Sequence, residues 1–201
     1  MGGRSRVAAQ VLSGKGFKTV YNMSGGIRAW DSQTAVGPQE QGLTLFEGKE
    51  TPEDVLKVAY SLEQGLREFY LDMEQRSENS KVKNLFSKLS EIEVKHQMSI
   101  YRSYCDLAGE EVGKDEFEAM VEKKAMEGGM STGEYLDMFQ PDLNSPVDVV
   151  SLAMSIEAQA LDLYQRVVQN IDDEGSREIV QQIANEEKAH LASLGKLMDS
   201  L

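Results

Sequence analysis

One cysteine, two histidines and few basic residues are what this 201-residue chain offers where many proteins have more. The single Cys105 excludes an intrachain disulfide framework and any four-cysteine metal centre within the chain. No apolar run approaches the roughly 20 residues of a membrane-spanning helix. The first residues also lack the apolar stretch of a signal peptide, so a cytoplasmic protein with no membrane partner is expected. Lys and Arg number 21 against 34 Asp and Glu, a net charge of −13, which disfavours nucleic acid as a partner. What is present is a hydrophobic fraction of 40%, enough for a packed core. The length allows one ordinary domain, with or without an appendage.

The charge is uneven along the chain. Residues 1–36 carry Arg4, Arg6, Lys15, Lys18 and Arg28 against Asp31 alone, which leaves −17 for the remainder. That shift, followed by the Gly-, Gln- and Pro-containing stretch 31–50, predicts two unlike pieces, 1–36 and 51–201, joined by a linker over 37–50.

The larger piece repeats itself. A constant offset of 94 residues aligns Thr51-Pro52 with Ser145-Pro146, and Asp54-Val55 with Asp148-Val149. It also aligns Ala59, Ser61, Glu63 and Tyr70 with Ala153, Ser155, Glu157 and Tyr164. Glu93, His96 and Ser99 align with Glu187, His190 and Ser193. A gapless match from 51 to the C-terminus implies two related helical hairpins.

Thr51 and Ser145 are N-cap residues by pattern, each followed by Pro at the first helical position and an acid at the third. Apolar residues then recur at helical spacing. The first helix shows Val55, Ala59, Leu62, Leu66, Phe69 and Met73; the second, from near Ser80, shows Val82, Leu85, Phe86, Leu89, Ile92 and Ile100. The third shows Val149, Ala153, Ile156, Ala160, Leu163 and Val167; the fourth shows Val180, Ile183, Leu194 and Leu197. The breaks, near 77–80 and 172–176, are short and polar, as antiparallel neighbours require. Between the hairpins, residues 106–144 predict a helix from Lys114 to Met126, then Gly128-Gly129, then a short helix over Thr132 to Phe139. A connection this long can run the length of a bundle, and it reads as a connector rather than a functional lid.

Chemistry enters where the apolar stripes are interrupted. Glu93 lies four residues after Leu89, and His96 lies four before Ile100. Glu187 follows Ile183 by four, and His190 precedes Leu194 by four. Glu63 and Glu157 also fall on the inward side. Buried ionisable groups cost several kcal/mol unless paired. A Glu and a His three apart on a helix project from one face and can share a metal, with the carboxylate free to bridge to a second. The only two histidines both occur in this motif, on duplicated helices, and each hairpin supplies a further Glu 30 residues upstream. Four carboxylates and two imidazoles would balance two divalent cations. Oxygen donors with imidazole suit iron or manganese, with zinc possible, and the set matches the arrangement of di-iron and di-manganese carboxylate bundles. Tyr70 and Tyr164, seven residues after Glu63 and Glu157, either orient a ligand carboxylate from another helix or close the stripe as core. Cys105 reads as a helix end without chemistry.

The segments SLEQGLREFY, EIEVKH, SIEAQALDLY and NEEKAH resemble the rubrerythrin-like branch of the ferritin-like di-iron superfamily across 51–201. That resemblance implies an all-α, ferritin-like four-helix bundle of two hairpins with a long crossover. It implies two iron ions held by Glu63, Glu93, His96, Glu157, Glu187 and His190, and a homodimer. It also implies reduction of hydrogen peroxide or dioxygen. Two departures from the family pattern stand out. A further glutamate one turn after the third-helix ligand is replaced by Ala160, and no rubredoxin domain with its Cys-x-x-Cys pairs is present. Electrons would therefore come from a separate donor such as a rubredoxin-like protein. The four-Glu, two-His set is closer to bacterioferritin-type centres, which keeps ferroxidase or iron handling open, as well as a metal-binding or sensing module without turnover.

Residues 2–30, GGRSRVAAQVLSGKGFKTVYNMSGGIRAW, resemble the closing third of a rhodanese domain. Gly2, Arg4 and Ser5 match the end of its Cys-x-x-Gly-x-Arg-Ser active-site loop, and the sequence starts after the position of that cysteine. No sulfurtransferase activity is expected of this chain, and the expectation is a longer rhodanese–rubrerythrin fusion. A remnant of about 35 residues is too short to bury a core alone.

Overall fold

A computed structural model describes residues 42–46, 48–109, 111–122 and 126–201. The rhodanese-like segment 1–36 and the first part of the linker lie outside the described residues. Within them the protein is all-helical: α1 (Pro52–Arg76), α2 (Ser80–Ala108), α3 (Lys114–Met120), α4 (Thr132–Phe139), α5 (Pro146–Asn170) and α6 (Glu174–Ser200). None of these helices is long and apolar enough to cross a membrane.

The caps sit where the sequence placed them. Thr51 Oγ1 accepts from the Asp54 amide at 3.3 Å, and the Asp54 carboxylate answers the Thr51 amide, closing a capping box. Ser145 accepts from the Asp148 amide in the same way at 3.3 Å. The hairpin turns are short: α1 gives way to α2 through 77–79, and α5 to α6 through 171–173. The second break is thus shorter than the 172–176 of the sequence reading, because the Asp173 carboxylate accepts from the Ser176 amide at 2.7 Å and starts α6 at Glu174.

Two further expectations are corrected. The helix from Lys114 stops at Met120 rather than Met126: Val121 is extended, and its amide turns back to the Glu118 carbonyl. Ile92 is 39% exposed instead of core. The buried stripe of α2 runs through Val82, Leu85, Phe86, Leu89, Glu93, Gln97, Ile100 and Tyr104. Ile92 is one residue, about 100° of rotation, off the Glu93 position.

The core is divided in two. One apolar cluster joins the C-terminal half of α1 (Leu66 to Met73) to the start of α2 (Val82 to Leu89), the start of α5 (Val149 to Ile156) and the end of α6 (Leu194, Met198). The other joins the start of α1 (Val55 to Leu62) to the end of α2 (Ile100, Tyr104), the end of α5 (Ala160 to Ile171) and the start of α6 (Val180 to Ala184). This membership fixes the topology. α1 and α5 run antiparallel, and the connection from α2 to α5 must travel from one end of the bundle to the other, as the ferritin-like crossover does.

The described parts of the crossover pack on the bundle. Phe117 is buried against Tyr60, Tyr101 and Tyr104, and Met126, Met130 and Tyr135 are buried farther on. Burying each such side chain is worth about 1.5–3 kcal/mol, so the segment is held down at both ends. Gly128 has φ +75°, and a Cβ there would lie 2.4 Å from Tyr135 Oη and 2.5 Å from Gln159 Cβ. Glycine is what lets this turn lie against α5. Part of the predicted linker also packs: Phe46 is buried edge-on to Tyr164, with ring centroids 6.5 Å apart.

Candidate metal centre

Between the two apolar clusters lies one polar layer. On every long helix the break between clusters coincides with a sequence-selected residue: Glu63 on α1, Glu93 and His96 on α2, Glu157 on α5, Glu187 and His190 on α6. The four carboxylates are at most 3% exposed. The two imidazoles are half-buried, so the layer opens to solvent on their side.

Each hairpin assembles its own trio. Glu63, Glu93 and His96 bring one ligand atom apiece to within 4.8 Å of one another, and so do Glu157, Glu187 and His190. His96 Nδ1 lies 2.7 Å from Glu93 Oε2 and 3.5 Å from Glu63 Oε2. His190 Nδ1 lies 3.1 Å from Glu187 Oε2 and 3.4 Å from Glu157 Oε2. The trios adjoin, because the two rings stack across the bundle with centroids 3.7 Å apart and planes within 6°.

The electrostatics are those of a cation site. Burial, with the charge of Glu93 added, pushes the Glu63 carboxyl up to about 8 despite the nearby His96. Burial also pushes Glu93 up to about 8, helped by the charge of Glu157. For Glu157 burial acts upward too, but contacts with His190 and Glu187 and the charges of both histidines outweigh it, and its net shift is downward. Burial alone would lower His190, yet Glu157, Glu63 and Glu186 raise it on balance. Glu63 and Glu93 therefore favour their neutral forms unless positive charge is added beside them. Glu63 Oε2 and Glu157 Oε2 are buried with no hydrogen-bond partner, and such atoms carry a penalty of about 1–3 kcal/mol each. Converging carboxylate oxygens whose nearest donors are the imidazole Nδ1 atoms, at 3.4 and 3.5 Å, are what a divalent cation would satisfy, so the residues present fit a two-metal centre. Oxygen with imidazole suits iron or manganese.

A pH dependence follows. Raised carboxyl pKa values mean that the metal-free fold binds protons more tightly than the unfolded chain, so these groups favour folding below about pH 4.5 and lose that contribution as pH rises towards 8. Metal must displace the same protons, so its affinity rises over the same range. The gain in Tm on adding ferrous iron anaerobically should therefore widen from pH 6 to pH 8. A gain that is constant or shrinks over that range contradicts this charge assignment.

Tyr70 and Tyr164 are fully buried on opposite sides of the layer. Tyr70 packs beside Phe69 and Phe86, with centroids 5.7 and 6.3 Å away. Ala160 is fully buried within the apolar cluster that contains Tyr164. Cys105 is half-buried one turn before the end of α2, near the Val112 carbonyl. Sequence reasoning missed two buried amides, Gln97 and Gln159. The signal for Gln97 was available: it is a polar residue on the buried stripe, four after Glu93.

A protein-family model described as Rubrerythrin matches residues 54–198, well over half of the chain. Comparison with curated proteins and with solved structures finds no match.

Proposed function

Because the chain belongs to the rubrerythrin family, we propose that it is a non-haem di-iron oxidoreductase that reduces hydrogen peroxide, or dioxygen, with electrons from a separate donor such as a rubredoxin-like protein. The observation that carries this reading is the pair of Glu–Glu–His trios in the layer between the two apolar clusters. Glu63, Glu93 and His96 would hold one ion and Glu157, Glu187 and His190 the other. Two iron ions bound there would supply the electrons for the reduction.

The protein's own residues do the rest. The four carboxylates set the charge of the layer to match two divalent cations. Each histidine is held by the glutamate three residues before it, with Nδ1 turned towards the carboxylates. The apolar clusters on either side exclude water, while the half-buried imidazoles mark the side open to a small oxidant. Tyr70 and Tyr164 stand as the residues that would orient ligand carboxylates across the bundle.

One observation favours a second reading. With alanine at position 160, buried among apolar side chains, no further carboxylate is available one turn after Glu157. The six-residue set then suits a ferroxidase. The test is rapid mixing of the anaerobic, ferrous-loaded protein with peroxide and, separately, with dioxygen. Faster oxidation by peroxide, with iron retained, is expected. Faster oxidation by dioxygen with ferric iron released would establish the ferroxidase reading instead, and zinc in protein from its own source with no peroxide reactivity would point to a non-catalytic module.

A further inference from the structure

The metal reading accounts for the buried acceptors in the polar layer, but it leaves buried donors unexplained, Arg67 Nε on α1 and Gln97 Nε2 on α2, and the second lies on a stripe that carries candidate ligands. Gln97 is 6% exposed, and its Nε2 is buried with no hydrogen-bond partner. It sits on α2 directly after His96 and one turn after Glu93, on the stripe that faces the bundle interior, between the polar layer and Ile100. A cation cannot satisfy an N–H group: an amide NH₂ donates, so its missing partner is an acceptor. An unpaired buried donor costs about as much as a lost hydrogen bond, and packing does not require an amide here. The 94-residue repeat places Leu191 at the equivalent position of the second hairpin, where it is partly buried and packs against an apolar cluster. The donor is therefore a feature of one half of the site only.

We propose that Gln97 is a ligand-binding residue whose side-chain amide donates to a small anionic or oxygen-rich ligand entering the layer beside the two trios. Hydrogen peroxide belongs to that chemical class, and azide is a stable member of it. This rests on the two-metal reading above, since the ligand is drawn there by the cations. It goes beyond that reading in giving the two half-sites different roles: the first hairpin supplies a donor to the incoming ligand, and the second presents only an apolar wall at the matching position.

The test uses the full chain loaded with ferric iron, with azide as the probe, and compares the wild type with Gln97→Leu and Gln97→Glu. Leucine restores the residue that the repeat uses and removes the donor; glutamate keeps the size and replaces the donor with an acceptor. Azide affinity, from the ligand-dependent absorption, should fall about tenfold or more in both variants, the worth of one hydrogen bond to a charged acceptor. Iron content should stay at two per chain, and metal-free Gln97→Leu should melt no lower than the wild type, because it loses an unpaired polar group. Wild-type affinity for azide in Gln97→Leu, or no azide binding by two-iron wild type, overturns the proposal while leaving the metal reading intact. Wild-type protein that takes up no metal overturns both.

Discussion

His96→Ala and His190→Ala should each reduce the metal content from two per chain to one or none, with the affinity of the affected half-site lowered by at least about 100-fold. Changes to residues that merely support a ligand already cost about 10–100-fold, and here the ligand itself is removed. The reason lies in the geometry. Each trio draws its three atoms from one hairpin, all within 4.8 Å, so a lost imidazole has no replacement within its own trio. Both variants should lose metal, because the 94-residue repeat gives each half-site the same three ligand types. Both histidines are half-buried, so the metal-free variants should remain folded. Elemental analysis and anaerobic titration decide it: two ions held with wild-type affinity in either variant would show that these trios are not the metal ligands.

Replacing all four glutamates together should have the opposite effect on the metal-free fold. In Glu63→Leu/Glu93→Leu/Glu157→Leu/Glu187→Leu the layer keeps only the two stacked imidazoles as polar groups, and the hydrophobic clusters close up around them. Exchanging a buried ionic set for apolar residues of similar volume is worth about 1–4 kcal/mol. At about 2–4 °C per kcal/mol in a domain of this size, Tm should rise by roughly 2–16 °C, and metal should no longer change it. The carboxyls of Glu63 and Glu93, pushed up to about 8 by burial, already show what the layer costs without cations. A lower Tm in the quadruple variant would mean that the glutamates stabilise the metal-free fold, and that the layer is structural rather than kept for binding.

Much of this was legible beforehand because it is periodic. Val55 to Met73 on α1 and Val149 to Val167 on α5 are buried as their spacing predicts, since a helix repeats its face every 3.6 residues whatever surrounds it. The caps at Thr51 and Ser145 are equally local, set by residues three apart. The errors arose where periodicity was incomplete. Ile92 is apolar and near the right spacing, but Glu93 takes the inward position, and hydrophobicity alone chose the wrong neighbour. The stop at Met120 depends on how Phe117 docks among Tyr60, Tyr101 and Tyr104, residues far from it in the chain.

By itself, the sequence determined the two hairpins, the crossover between them and the six residues that interrupt their stripes, because repeat, period and charge are properties of position along a chain. Tertiary structure alone decided that these six form a single layer between two apolar clusters, with the imidazoles stacked and facing the open side. It also decided that Gln97 is sealed inside with an unsatisfied donor. The physical reason is that burial and contact depend on what the other helices bring. A helix read alone shows which polar residues interrupt its apolar stripe, but not what the other helices bring against them.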